Sequence, residues 1–157
     1  MAIDYGRRAT GIAISDELRI TVRPLTTLRT DRGETRSLVD RIVALALEYE
    51  VETILVGLPL RLDGTRGDAA TLVDRFVVRL KDQLTIPVVM RDERLTSRAA
   101  DELLRDHGAS VRRRRAHSDQ VAAALLLEDY LAEGERVRAA AERDSDTLPK
   151  LEAKLET

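Results

Sequence analysis

Ala2-Ile3-Asp4-Tyr5-Gly6-Arg7-Arg8-Ala9-Thr10-Gly11-Ile12-Ala13-Ile14-Ser15 is the stretch that decides the fold. Two short apolar runs, Ala2 to Asp4 and Gly11 to Ser15, flank a turn at Tyr5-Gly6-Arg7-Arg8. A polar turn at Asp16-Glu17 then leads to a third run, Thr21 to Leu28. Links this short favour antiparallel neighbours, so the chain opens on three antiparallel strands. Pro24 removes an amide donor from the third strand and confines it to a sheet edge. Gly6 answers a need for close backbone approach or for a positive φ.

Beyond residue 30 the pattern changes period. Leu38, Ile42, Leu45 and Tyr49, widened by Val39 and Ala46, predict a helix over 34–50. Thr53 to Gly57 is an all-apolar run between helices, which suits a central strand covered on both faces. A loop punctuated by Pro and Gly runs from Leu58 to Gly67. A second helix over 69–84 presents Leu72, Val73, Phe76, Val77 and Leu80, and a buried strand follows from Pro87 to Arg91. Thr96 is placed to cap a third helix that Gly108 stops, and Ser118 to cap a fourth, ending about Leu131. The order β-β-β-α-β-α-β-α-α predicts an α/β fold, a mixed five-stranded sheet with helices on both faces. Residues 1–132 form the expected domain, and 133–157 a charged, solvated tail, partly helical at best.

Composition narrows the chemistry. The chain has 157 residues, no cysteine, no tryptophan and one phenylalanine. Thiolate metal sites and Cys nucleophiles are thereby excluded. Scarce aromatics argue against a stacking platform for single-stranded bases. No apolar run approaches a membrane span, and no signal-peptide pattern opens the chain, so a cytoplasmic location and no membrane partner are expected. Lys81, Lys150 and Lys154 are the only lysines among 26 basic residues, and the net charge is −2. Arginine's planar fork suits bidentate phosphate contacts. Arg112, Arg113, Arg114 and Arg115 are consecutive, just before the helix that begins near Ser118. They are candidate nucleic-acid contacts, as are Arg61 and Arg66 in the 58–67 loop, and Arg94 and Arg98. A solvated charge run and a plain surface loop are the competing explanations.

Three acids stand at the ends of apolar runs: Asp4, Glu93 and Asp119. Asp4 and Glu93 fall at the carboxyl ends of strands, where functional groups collect in parallel sheets. Asp119 falls at a helix N-terminus, where it also interacts favourably with the dipole. Asp92 and Glu93 point opposite ways in an extended segment, so one of them enters a site, leaving Asp92 to pair with an arginine. Three converging carboxylates suit Mg²⁺ or Mn²⁺, and those ions suit phosphoryl transfer. His107 and His117 read as surface residues, with His117 a candidate for proton transfer.

Ala2-Ile3-Asp4-Tyr5-Gly6, Gly11-Ile12-Ala13-Ile14-Ser15-Asp16, Val56-Gly57-Leu58-Pro59 with Asp63-Gly64-Thr65, Asp92-Glu93-Arg94-Leu95-Thr96 and Asp119 to Leu127 form an ordered set. In this order and spacing the chain closely resembles the YqgF/RuvX family over residues 2 to about 131. The resemblance implies a ribonuclease H-like fold, related to the RuvC resolvase. Family members are described as Holliday junction resolvases and as pre-16S ribosomal RNA nucleases. By motif position the resemblance makes Asp4, Glu93 and Asp119 the catalytic carboxylates and metal ligands. A two-metal Mg²⁺ or Mn²⁺ site and a nucleic-acid substrate, branched DNA or precursor rRNA, are then expected. A second copy of the chain is a candidate partner. The first strand begins closer to Met1 than is usual in the family, and the charged tail lies outside its core. Two alternatives stay open: a non-catalytic nucleic-acid-binding regulator on the same fold, and an actin-like or sugar-kinase-like ATPase, which needs two such domains.

Overall fold

Five strands, β1 (Ala2–Tyr5), β2 (Ala9–Ser15), β3 (Val22–Arg29), β4 (Ile54–Leu58) and β5 (Val88–Asp92), form one sheet in the order β3-β2-β1-β4-β5. The computed structural model describes residues 1–30, 35–93 and 119–136. The chain divides into two compact units, Met1–Leu127 and Glu128–Thr157. Residues 128–136, the described part of the second unit, are helical.

The first three strands are antiparallel, and β4 and β5 join β1 in parallel. β3 is an edge strand, as Pro24 required, and its register slips at Ile12/Ala13, beside the Ala13↔Pro24 pair. Asp16 closes the β2–β3 turn by accepting from the Ile20 amide at 2.8 Å and the Thr21 hydroxyl at 2.9 Å. At the first turn a Cβ on Gly6 would strike the Ala9 carbonyl. Close approach, with no positive φ, is what this glycine supplies.

Alternation assigns the two faces of the sheet. Ile3, Ile12, Ile14, Ile54 and Val56 pack with α1 (Thr35–Glu48) and α2 (Asp68–Gln83), whose Leu38, Val39, Ile42, Val73, Phe76, Val77 and Leu80 complete the core. Tyr5 stacks on Phe76 with ring centroids 4.3 Å apart. Removing Phe76 to Ala would cost about 3–5 kcal/mol, because the core around it is closed. Ala2, Ala13 and Leu55 project from the opposite face and are also buried. On that face the first unit's part of a third helix, α3 (residues 119–127), buries Ala122, Ala123, Leu126 and Leu127, and Leu126 Cδ2 lies 3.4 Å from where a Gly57 Cβ would stand. Small residues in both strand and helix let α3 lie close to the sheet.

Most element bounds fall within two residues of those the sequence predicts. Burial departs in two places. The strand read as buried, β5, lies at the sheet's other edge among the described residues, and its Met90 is 38% exposed. Tyr49, read as the end of the α1 stripe, is 37% exposed and lies beyond the helix. Glu50 adopts φ 47°, and the Val51 amide reaches back to the Ala46 carbonyl at 2.9 Å. That left-handed stop closes α1 just after Tyr49, whose amide still donates to the Leu45 carbonyl at 3.0 Å. The Tyr49 ring lies 5.9 Å beneath the Arg23 guanidinium. The helix expected between Thr96 and Gly108 lies outside the described residues, as do His107 and His117.

Candidate active site

Asp4 lies between two glycines. It pairs with Gly11 on β2, and the β1–β4 register, Ile3↔Val56, sets Gly57 alongside it on the other flank. The row continues to Thr27 on β3 and to Arg91 on β5. Glycine inside an apolar strand costs conformational entropy, so its presence here needs a spatial reason. Both positions have one. A Cβ on Gly11 would overlap the backbone of Asp119, and a Cβ on Gly57 would overlap Glu93 Oε2. The two missing side chains are the space through which Asp119 and Glu93 reach the flanks of Asp4.

Each acid is delivered by a different element. Asp4 sits near the carboxyl end of β1 on the α3 face. Glu93 follows β5 directly, and its amide extends the ladder by donating to the Leu58 carbonyl at 3.2 Å. Asp92, paired with Leu58, belongs to the opposite face, so the alternation argument selects Glu93. Asp119 opens α3. Its neighbour Gln120 donates through Nε2 to Thr27 Oγ1 at 2.7 Å, which ties the start of α3 to the edge strand.

Electrostatics record the convergence. Burial first, and then the negative charge of Asp119, raise the Asp4 pKa to about 6 against a hydrogen bond from Glu93 that lowers it. Glu93 is pushed up to about 8, by burial and then by the Asp4 charge, the hydrogen bond with Asp4 and the Asp92 charge. Burial and mutual repulsion thus favour a proton kept on the hydrogen-bonded Asp4–Glu93 pair. The three acids that the sequence singles out do meet at one place. Among the described residues no three acidic or histidine side chains stand in a ready metal cage. The site is a proton-sharing pair with a third carboxylate facing it.

Of the arginines singled out from sequence, Arg61 and Arg66 lie in the loop between β4 and α2. This loop is built rather than plain: Leu60 bridges Arg66, the Arg61 amide donates to the Thr65 carbonyl at 2.9 Å, and Gly64 takes φ 82°. Asp63 accepts from the Thr65 amide at 2.9 Å. Arg66 forms a two-pronged ion pair with Asp74, at 2.5 and 2.6 Å, that braces the loop against α2. Arg61 reaches Thr65 Oγ1 and covers Gly67. Arg94, Arg98 and Arg112 to Arg115 lie outside the described residues. Sequence reasoning passed over Gly11, Gly57, Thr27 and Gln120. An isolated glycine within each of two apolar strands was the available signal for the first two.

Comparison with known proteins identifies the family and the fold. Residues 1–133 match the family model described as RuvX, Holliday junction resolvase. A protein of Roseiflexus sp. (strain RS-1), named "Putative pre-16S rRNA nuclease", is 42% identical over 131 residues, covering 83% of this chain and 92% of its own. One of Syntrophus aciditrophicus (strain SB) with the same name is 44% identical, covering 83% and 86%. Among solved structures, T. thermophilus RuvC in complex with Holliday junction substrate superposes with a TM-score of 0.54 at 16% identity, covering 83% of this chain and 92% of that one. That likeness establishes the ribonuclease H-like α/β fold. Among the described residues no helix is long and apolar enough to cross a membrane.

Proposed function

This chain belongs to the RuvX family of Holliday junction resolvases, and on that premise we propose that it is a divalent-metal-dependent endonuclease acting on structured nucleic acid. Branched DNA and precursor 16S rRNA are the two substrates to which the family and its named relatives point. The observation that carries the reading is the meeting of Asp4, Glu93 and Asp119 at the carboxyl end of the parallel strands.

The donor set fits Mg²⁺ or Mn²⁺. It consists of carboxylate oxygens, which suit hard cations. Burial and mutual repulsion raise the proton affinity of two of the acids, and a bound cation relieves the same repulsion. Asp4, Glu93 and Asp119 would hold it. When bound, such an ion lowers the pKa of an attacking water and neutralises charge on the phosphate. The Asp4–Glu93 pair must release its proton for both acids to become ligands, which makes loading more favourable at higher pH. Asp4, fixed between the two glycines, orients the site, and Asp119 is held over it by the seat of α3 on Gly11. Arg61, with Arg94, Arg98 and Arg112 to Arg115, tracks the nucleic-acid backbone, while Arg66 holds the 58–67 loop in shape. Backbone contacts of this kind position a substrate without reading its sequence.

The test is cleavage of a four-way DNA junction and of a precursor 16S rRNA fragment, with Mg²⁺ or Mn²⁺, by the native chain and by Asp4→Asn. Metal-dependent cleavage of either substrate, lost in Asp4→Asn while binding persists, is the expected result. Binding without cleavage under every metal condition would leave the non-catalytic regulator in its place.

A further inference from the structure

Arg7, Arg8, Arg29 and Arg41 gather beside the site and take no part in the function argued above. Arg7 and Arg8 are exposed in the turn that follows β1, just beyond Asp4. The Arg8 carbonyl accepts from the Thr30 amide at 3.1 Å, which fastens that turn to the end of β3. Arg29 ends β3, is exposed, and pairs with Ala9. It lies two residues along from the Gly11↔Thr27 pair, so its side chain rises from the face that carries Asp4. Arg41 arrives from α1, on the opposite face of the sheet, and is also exposed; its Nη1 donates to the Arg29 backbone carbonyl at 3.2 Å, which sets Arg41 against the same end of β3.

Among the described residues none of the four forms an ion pair with an acid. The ion pairs among the described residues are Arg19–Glu52 and Arg66–Asp74, both elsewhere. A chain of net charge −2 thus carries, among its described residues, four exposed arginines without ion pairs at one end of β3. Like charges crowded at a surface repel, and a polyanion is what relieves them. From Asp4 to Arg29 is two strand spacings across and two residues along, roughly 12 Å. One nucleic-acid strand rises about 3.4 Å per nucleotide, so that distance is about three to four nucleotides.

We propose that Arg7, Arg8, Arg29 and Arg41 form a phosphate-binding edge that grips the substrate backbone about three to four nucleotides from the cleaved bond, on the β3 side of the site. This rests on the nuclease reading and adds the direction in which the substrate leaves the carboxylates. The forks of four arginines suit phosphate oxygens, and their scatter over a turn, a strand end and a helix fits a backbone passing over them rather than a single small anion.

The experiment measures binding of a fluorescein-labelled four-way DNA junction and of a labelled precursor 16S rRNA fragment to the Asp4→Asn protein across a salt series. Replacing all four arginines by Gln should weaken binding and flatten the slope of log affinity against log salt by about 0.9 for each lost contact, up to ~3–4. Replacing all four by Lys, which keeps the charge, should preserve the slope. Arg19→Gln with Arg23→Gln, at the other end of β3, should leave it unchanged. An unaltered slope in the Gln set overturns the edge while the nuclease reading stands. A slope lost in both Gln and Lys sets also overturns it, because the effect is then not one of charge. If the Asp4→Asn protein binds neither substrate at low salt, the edge and the nuclease reading fall together.

Discussion

The space that a Gly57 side chain would occupy is filled by the carboxyl group of Glu93. A glycine in the middle of a buried strand is thereby the entrance for an acid carried by the neighbouring strand. The same device recurs on the other flank of Asp4, where Gly11 admits the backbone of Asp119. The site is assembled by subtraction of side chains as much as by placement of acids.

Gly57→Ala tests this directly. The new methyl group would overlap Oε2, stand 3.0 Å from Cδ of Glu93 and 3.4 Å from Leu126 Cδ2. The movable neighbour is the Glu93 carboxyl, so it swings away from Asp4. Cleavage should fall on the order of 100-fold, the scale of a displacement of about 1 Å at a reacting centre. Stability should drop by about 1–3 kcal/mol, as for overpacking. Initial rates and thermal unfolding on the same preparations separate the two effects. A variant with native cleavage rate would show that Glu93 need not approach Asp4.

Glu93→Gln should abolish cleavage, whereas Asp92→Asn should retain most of it. Glu93 shares a proton with Asp4, and Asp92 pairs with Leu58 on the other face of the sheet. Asp92 influences the site only through its charge, the smallest of the influences that raise the Glu93 pKa. Removing that charge should lower the Glu93 pKa, so the acid limb of the Asp92→Asn rate profile should move to lower pH. Inactive Asp92→Asn with active Glu93→Gln would reverse the assignment.

Much of this was legible in the sequence, for identifiable reasons. Period-2 runs joined by tight turns fix β1 to β3, and Pro24 marks the edge. The acids stand out because each interrupts an apolar run at its end. Alternation in an extended backbone says that one of the adjacent Asp92 and Glu93 enters the site, and the family motif selects Glu93. What escaped depends on register. Gly57 and Glu93 meet only because β4 and β5 pair with Leu58 opposite Asp92. Thr27 and Gln120 are 93 residues apart, and nothing local announces their bond. Arg7, Arg8, Arg29 and Arg41 are scattered in sequence, while the conspicuous run Arg112 to Arg115 draws the eye. Tyr49 continues the apolar spacing past Ala46, the last buried residue of α1, and spacing alone does not show where burial ends.

The metal-free protein should lose stability as pH rises from about 4.5 through 8. Asp4 and Glu93 have folded pKa values raised to about 6 and about 8 from 3.8 and 4.5. The folded state then binds more protons than the unfolded state across that window, so stability falls with increasing pH. At about 1.4 kcal/mol per tenfold change in proton affinity, and with one proton shared by the pair, the loss is on the order of a few kcal/mol. That is roughly 5–10 °C in Tm for a chain of this length. The Met1 amino group acts oppositely, its pKa lowered to about 6 by burial and then by the Arg19 charge. Comparing wild type with Glu93→Gln in chelator removes the Met1 contribution, which both share. The mutant should show the flatter profile and the higher Tm at pH 8; parallel profiles would mean that Glu93 titrates as it does in water.

Gln120 should act on the site through Asp119. Its side-chain amide is anchored to Thr27 at 2.7 Å in a half-buried setting, and the next residue back is the acid itself. Gln120→Leu breaks the tie while keeping the apolar bulk of the side chain. Mn²⁺ affinity, read by calorimetry, should weaken about 10–100-fold, as when the partners that orient metal ligands are lost. Stability should fall by only about 1 kcal/mol, the net worth of one such bond. Thr27→Val should reproduce both losses, and Thr27→Ser, which keeps the hydroxyl, should restore them. Because one bond is broken twice, the double variant Gln120→Leu with Thr27→Val should be little worse than either single change. Fully additive losses in Mn²⁺ affinity would mean that the two residues act separately and that α3 is held over Asp4 by its seat on Gly11 alone.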